Sequence, residues 1–175
     1  NVAFVQGRIG DALEAAPVDA VVGRFILMHL PDPAAALAAA VQHVRLGGPV
    51  VFVESHMALL EEGVHSSPHS PLYDRVVRWK SRAVRGAGAD VSMGLKLRRV
   101  FLDAGLPEPR TRLDALVAGG PDTPVYRYLA ESVHSMLPLA TDLGIEGFDA
   151  DSVARLEDDL RSEVVASGGV LVNWP

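Results

Sequence analysis

Two side chains capable of acid–base chemistry, Glu54 and His56, directly follow the apolar run Val50–Val53. A carboxylate in such a place holds a cationic substrate group or accepts a proton, or else it forms an ion pair with Arg24 or another nearby cation. Both interpretations stay open. His29 lies in a loop between two apolar segments. Because imidazole titrates near neutrality, His29 is a candidate general base or substrate-orienting group. The alternative is a loop histidine that hydrogen-bonds to backbone.

Two further histidines, His65 and His69, have the spacing that directs both rings at one metal ion when they lie on a helix. Ser66, Ser67 and Pro68 between them disfavour a helix, so the sequence predicts exposed loop histidines and no metal site. The chain has no cysteine, which excludes disulfides and thiolate chemistry.

The composition limits the class of protein. With 49 % hydrophobic residues and a net charge of −6 over 175 residues, the chain is predicted to be globular, without a nucleic-acid partner. The one basic cluster, Arg75–Arg85, is interleaved with apolar residues and is typical of the wet face of a helix; an anion site is the alternative. The sequence contains no apolar run long enough to span a membrane, and we expect no signal peptide, a cytoplasmic setting and no membrane partner.

The elements around the first candidates follow from local signals. Val18–Val22 and Val50–Val53 are nearly continuous apolar runs, as in parallel strands that are buried on both faces. Between them Asp32 is a good N-cap and Pro33 suits the first helical position, because its missing N–H would have no partner there. The helix is predicted over Ala34–Arg45, and Gly47 and Gly48 supply the left-handed C-cap. The pattern is strand, helix, strand, and therefore a right-handed parallel unit.

Ligands of such sheets bind beyond the carboxyl ends of the strands. Here those ends are Gly23-Arg24-Phe25 and Glu54-Ser55-His56, so we expect both segments to converge on one crevice.

The remaining residues contain further periodic segments. Helical stripes and a half-exposed antiparallel strand near the sheet edge are predicted, together with a terminal strand. The helices are Leu72–Arg85, Ser92–Ala104, one starting at Thr123-Pro124 and one capped by Asp151; the strands are Val2–Gln6, Arg110–Val117 and Val170–Trp174.

Several segments, taken in order, resemble the class I S-adenosylmethionine-dependent methyltransferases: "VAFVQG", "DAVVGRFILMHLPDPAAAL", "HVRLGGPVVFVE" and "LRRVFLDAGL". The later "GGPDTPVYRYLAESVHSMLPL" is similar to a bacterial subgroup that acts on small molecules. The resemblance implies a Rossmann-like, doubly wound, mostly parallel α/β sheet with one antiparallel strand near its end. The family's glycine-rich first half has no counterpart here, and the chain begins at Asn1 inside a strand-like run. We therefore expect residues 1–175 to be the carboxyl-terminal portion of one domain, a partial fold.

The resemblance also implies roles for particular residues. The backbone of Gly23, Arg24 and Phe25, with His29 beyond them, would line the methionine side of S-adenosylmethionine. Ile9 would flank the adenine ring. Arg8 stands where the family has an aspartate that accepts from the adenine amino group, and arginine has no acceptor. Asp11 either substitutes for that aspartate or is a surface residue.

Helices over residues 70–104 and 123–167 would shape the acceptor pocket, where Glu54, His56, Tyr73 and Trp79 would contact the substrate. Tyr73 and Trp79 would stack on an aromatic group or a sulfonium, or else pack in the core. The expected reaction is methyl transfer to an oxygen, nitrogen or carbon of a small molecule. The alternatives are a non-catalytic binding module and another Rossmann-type enzyme, such as a nicotinamide-dependent oxidoreductase. The expected partners are the small-molecule substrate and, optionally, a second copy in a homodimer.

Overall fold

A computed structural model describes residues 4–9, 11, 17–59 and 65–173 of the chain. Although the sequence shows no clean domain boundary, the chain divides into two compact units. The first combines Asn1–Glu54 with Met93–Arg112, and the second combines Ser55–Ser92 with Leu113–Pro175. Within the described ranges, no helix is long and apolar enough to cross a membrane.

Each unit has its own strands and helices. The first unit contains β1 (Val21–Arg24), a 3-10 turn (Leu27–His29), α1 (Pro33–Val41), β2 (Val50–Val53) and α3 (Met93–Asp103). The second unit contains β3 (Ser66–Ser67), α2 (Pro71–Gly86), β4 (Leu116–Gly119), α4 (Val125–Asp142), α5 (Ala150–Ser167) and β5 (Val170–Asn173).

The first unit confirms the predicted strand–helix–strand arrangement, although β1 begins at Val21 rather than Val18 and continues through Gly23 to Arg24. β1 and β2 are parallel, with Val21 opposite Val50 and Arg24 opposite Val53. The Asp32 carboxylate accepts the backbone N–H of Ala35 at 2.9 Å, so this residue caps α1 as expected.

The end of α1 was predicted wrongly. The helix stops at Val41 rather than Arg45, because Val44 leaves it to form a parallel bridge with Val18. Gly47 is left-handed at φ 77°, but it follows a turn and does not cap α1.

One face of the β1–β2 pair is covered and the other is open. On the covered side, α1 contributes the fully buried Leu37, and the Phe52 ring meets Phe101 of α3 edge-on at 6.1 Å. On the other side lie three valines that we call the valine face: Val22, Val51 and Val53, which are 74 %, 48 % and 41 % exposed. Burial on both faces was thus a wrong prediction for the described residues.

The strand predicted over Val2–Gln6 is absent in its described part. Phe4 and Val5 carry no strand and are 95 % and 82 % exposed, while Val2 and Ala3 lie outside the described residues. A strand needs a neighbour for its backbone groups, and the described part of the chain offers none beside this segment.

The second unit packs helices on an antiparallel sheet with the order β3-β5-β4. β4 starts at Leu116, so the strand predicted from Arg110 begins six residues later, and it pairs with β5. The described residues therefore form two separate sheets, one parallel and one antiparallel, rather than the single mostly parallel sheet that was expected. What they show is a mixed α/β structure.

Asp149, and not the predicted Asp151, caps α5. Its carboxylate accepts the Ser152 hydroxyl at 2.7 Å and the Ser152 backbone N–H at 2.8 Å, and its own N–H donates to the Ser152 hydroxyl oxygen. These hydrogen bonds hold the pKa of Asp149 below its ordinary value of 3.8, and the bond from the Ser152 hydroxyl contributes most.

We expect Asp149→Ala to destabilise the chain at pH 7, whereas Asp151→Ala, on the same helix turn, has little effect. A carboxyl group whose pKa is lower in the folded than in the unfolded chain stabilises the fold at pH values above its unfolded pKa. This contribution is lost as the pH falls through its folded pKa. The difference between Asp149→Ala and the parent chain should therefore shrink below about pH 4 in urea titrations followed by circular dichroism. A difference that persists undiminished at pH 2 contradicts this.

The connection between α4 and α5 lies along α2 in the second unit. Arg75 stacks over the Phe148 ring at 4.4 Å, and Arg82 donates to the Glu146 carbonyl at 3.1 Å. Gly147 has φ 142°, and a Cβ added there would lie 2.9 Å from Trp79. Arg75, Arg78, Arg82 and Arg85 are all exposed, which confirms the wet-face interpretation of this cluster.

Lys80 of α2 lies over the Tyr128 ring at 5.0 Å, and burial lowers the pKa of Lys80 to about 8. Between that value and about 10.4 the unfolded chain keeps a proton that the folded chain has lost, so stability rises with pH over this window. We expect Lys80→Met to stabilise the unit by about 1 kcal/mol at pH 7, after the lost cation–π contact is counted.

The advantage of Lys80→Met should disappear between pH 8 and pH 10 in urea titrations. The exposed Lys96 provides a matched control, Lys96→Met. A lower stability of Lys80→Met at pH 7 contradicts the expectation.

Candidate functional site

The carboxyl ends of β1 and β2 meet at one edge of the parallel pair. The Phe25 backbone N–H donates to the Val53 carbonyl at 2.9 Å, which extends the ladder by one step beyond β1. Arg24, Phe25 and Glu54 are therefore neighbours at this edge, as the parallel arrangement requires.

Phe25 has an unusual backbone. Its φ is 53°, and it is the one residue other than glycine with positive φ in the described part of the chain. Such a conformation costs about 1–3 kcal/mol and persists only where surrounding contacts impose it. The Arg24 guanidinium lies 4.6 Å from the centre of the Phe25 ring, in stacking contact.

Glu54 holds the turn that directly follows Phe25. Its carboxylate accepts the backbone N–H groups of Ile26 at 2.9 Å, Leu27 at 2.8 Å and Met28 at 3.3 Å. These are the free donors at the start of the 3-10 turn, so Glu54 acts as the cap that the turn's own residues do not provide. Glu54 forms no ion pair with Arg24, and that alternative is wrong.

We expect Glu54→Ala to release this turn. Amide hydrogens of Ile26, Leu27 and Met28 should exchange about tenfold faster or more, because each loses a charge-assisted acceptor. Asp32→Ala is the matched control, since Asp32 also caps backbone N–H groups in this unit but bonds to Ala35. Exchange by nuclear magnetic resonance measures both; unchanged protection at Leu27 in Glu54→Ala contradicts the capping role.

Gly23 lies opposite Phe52 in the β1–β2 ladder, and the Phe52 ring leaves no room for a side chain at this position. A Cβ at Gly23 would lie 2.1 Å from Cε1 of Phe52, so the ring occupies the space that a side chain would need. The sequence predicted close approach of the backbone to a ligand; the structure shows close approach to Phe52, a residue that sequence reasoning did not select.

A cleft of about 280 Å³ runs between α1 and the outer edge of β1. Its lining is apolar apart from Arg24, and it includes Gly23, Ile9, Leu37 and Phe52. The predicted cofactor residues Ile9, Gly23 and Arg24 are thereby brought to one surface.

Arg8 and His29 belong to the same unit. The Arg8 backbone N–H donates to the Asp11 carboxylate at 2.7 Å, which closes a local turn and occupies the acid that was considered as a substitute adenine acceptor. His29 ends the 3-10 turn with an exposed side chain, and its backbone N–H donates to Ile26. Its role as a base stays a prediction.

The other predicted substrate residues belong to the second unit. His56 contacts the Ser92 carbonyl oxygen through Nδ1 at 3.2 Å. Tyr73 is 0 % exposed and donates its hydroxyl to the Val172 carbonyl at 2.9 Å, and Trp79 is 1 % exposed. Core packing, the alternative considered for Tyr73 and Trp79, describes both rings.

The histidine pair shows one correction. His65 is buried beside strand β3, so the prediction of exposed loop histidines is wrong for this residue, while His69 is exposed. Among residues 4–9, 11, 17–59 and 65–173, no group of three or more ionisable ligands could hold a metal ion.

Arg24, Phe25 and Glu54 form a rim at the carboxyl end of the parallel strand pair. Comparison with protein-family models and with curated proteins gives no match for this chain.

Proposed function

We propose that the chain is part of a class I methyltransferase, which moves a methyl group from S-adenosylmethionine to a small-molecule acceptor. The single observation behind this proposal is the meeting of "VVGRF" and "VVFVE" at one edge of a parallel pair, joined by a helix. In open α/β sheets that edge is where ligands bind.

The residues at this edge fit the cofactor in part. The Arg24 guanidinium suits a carboxylate, and the apolar surface that includes Ile9 suits a flat ring. Arg8 does not fit, because it has no acceptor for the adenine amino group. When bound, S-adenosylmethionine supplies a methyl group on a sulfonium. The chain's task is then to align cofactor and acceptor for in-line transfer, with His29 as the candidate base for an acceptor that must lose a proton.

The proposal includes a doubly wound sheet in the complete gene product. Two observations support it: within the described residues β1 pairs with β2 alone, and the valine face has no cover. Further parallel strands at the outer edge of β1, with helices over the valines, would bury both. The helices of residues 70–104 and 123–167 would shape the acceptor pocket. A cytoplasmic setting belongs to the same proposal and is supported by the cysteine-free sequence.

Calorimetric titration of the complete gene product with S-adenosylhomocysteine tests the function. We expect saturable heat with a dissociation constant below about 1 mM, the weakest affinity that such an experiment resolves well. No heat at millimolar ligand contradicts the proposal. Heat with a reduced nicotinamide dinucleotide instead would favour the oxidoreductase alternative.

A non-catalytic binding module is the second candidate, and Arg8 is the observation that favours it. Arg8→Asp restores an acceptor at the position that the resemblance assigns to the adenine contact. A large gain in affinity for S-adenosylhomocysteine would indicate a decayed site, and unchanged affinity an intact site of unusual design.

A further inference from the structure

A groove of about 660 Å³ runs between α4 and α5 in the second unit. This volume lies within the range of about 300–1,000 Å³ that is typical of small-molecule sites. The apolar part of its lining comes from both helices and consists of Ala130, Leu137, Pro138, Ala150, Val153 and Ala154. Because the three alanines are small, they leave open a space that larger side chains would fill. None of the candidate site residues named above lines this groove.

Pro138 interrupts the hydrogen bonding of α4. It lies inside the helix and has no N–H to donate to the carbonyl four residues earlier, that of His134. A helical carbonyl points along the axis toward the residue four positions on, so the His134 carbonyl oxygen lies between two residues of the lining. The next carbonyl of interest, that of Leu137, accepts the Thr141 hydroxyl at 2.9 Å. The groove therefore offers a backbone acceptor that has lost its usual helical donor.

The charges in the lining are negative. Glu131 of α4 and Glu157 of α5 line the groove, whereas no lysine or arginine does so among the described residues. Arg127 donates to Oε1 of Glu131 at 2.7 Å, and Arg161 donates to Oε1 of Glu157, so both carboxylates are held in place. In each glutamate, Oε2 keeps its capacity to accept. The groove thus combines apolar walls with acceptors and negative charge, which a cationic donor complements.

We propose that the groove between α4 and α5 binds a small organic ammonium ion with an apolar tail. The ammonium group has three donors, which serve the His134 carbonyl and Oε2 of a glutamate. The tail lies against Leu137 and Val153 and is removed from water there. This inference concerns the second unit alone, so it holds or fails independently of the proposed methyl transfer.

Three probes of similar length and shape separate charge from apolar contact: n-hexylammonium, n-hexanol and hexanoate. Each is titrated at pH 7 into the complete gene product labelled with nitrogen-15, and backbone amide shifts are followed by nuclear magnetic resonance. We expect hexylammonium to shift amides of residues 130–141 and 150–157 saturably, with a dissociation constant of about 1 mM or lower. Hexanol and hexanoate should bind at least about tenfold more weakly. Equal affinity for hexylammonium and hexanol, or no saturable shift with hexylammonium, would overturn the proposal.

A substitution that fills the groove locates the binding. Ala154→Leu places a larger side chain in the lining and should weaken hexylammonium about tenfold or more. Ala166→Leu is the matched control, because Ala166 is also an exposed alanine of α5 but does not line the groove. It should leave the affinity unchanged. Equal weakening by both variants would overturn the proposal, since it would indicate general attraction of the cation to an acidic surface.

Pro138→Ala tests the backbone acceptor. The alanine N–H donates to the His134 carbonyl and occupies it, so hexylammonium should bind about three- to tenfold more weakly, while hexanol changes little. Alanine is a better helix former than proline, so this variant is expected to fold, and circular dichroism checks that it does. Unchanged affinity for hexylammonium in folded Pro138→Ala would overturn the role of this carbonyl.

Discussion

Replacing Trp79 by alanine should lower the free energy of unfolding by about 3–5 kcal/mol. The indole is the largest fully buried side chain of the second unit, and it packs edge-on against Phe148 with ring centres 5.4 Å apart. Removing it leaves a cavity between α2 and the α4–α5 connection, where Gly147 lies against the ring.

A second substitution at the same position separates volume from polarity. The Trp79 indole N–H is buried and has no acceptor among the described residues, which is unfavourable in the native chain. Trp79→Phe removes this donor while it keeps much of the apolar volume, so it should cost about 1 kcal/mol. Val165→Ala, at a 42 % exposed position of α5, is the control for loss of a surface aliphatic group. Urea titration provides all three values, and equal losses for Trp79→Phe and Trp79→Ala would contradict the packing.

Gly23→Ala should destabilise the first unit by about 3 kcal/mol, at the upper end of what overpacking usually costs. The new methyl group would meet Phe52 at 2.1 Å, and the ring cannot swing away freely because Phe101 lies against it. The backbone of β1 or the aromatic pair must therefore shift, and the β1–β2 ladder shifts with it.

A double-mutant cycle checks this mechanism. Phe52→Leu gives the methyl group room, so Gly23→Ala should cost less in that background than in the parent chain. Gly47→Ala is the control for backbone strain without a steric clash: its φ of 77° is unfavourable for alanine, but no atom lies within 4 Å of the added Cβ. Simple addition of the two losses in Gly23→Ala/Phe52→Leu would show that Phe52 is not the obstacle.

Local sequence signals were sufficient for the parts of the fold that short-range physics determines. Apolar runs predicted β1 and β2, and the Asp32-Pro33 pair predicted the start of α1, since an acceptor and a missing donor suit those positions. Helical stripes likewise located α2 and α3 to within a residue or two.

The features that sequence reasoning missed depend on contacts between distant residues. β3 has two residues and exists because Ser66 pairs with Leu171, more than one hundred positions away. The role of Glu54 follows from three backbone donors that converge after the loop has folded, and no residue type in that loop signals them. The cap at Asp149 depended on choosing between two neighbouring aspartates, and the Asp149–Ser152 spacing of a capping box was the signal available.

The valine face bears on how the chain behaves in concentrated solution. Three β-branched aliphatic groups, beside a strand edge that has no partner among the described residues, form a surface that water solvates poorly, and the free energy falls when two such surfaces meet. Solubility, more than the unfolding transition, is the property that this surface governs. Salts that are excluded from protein surfaces, such as sulfate, should promote self-association of the isolated chain. If a polypeptide covers these valines, the same salts should not change the degree of association.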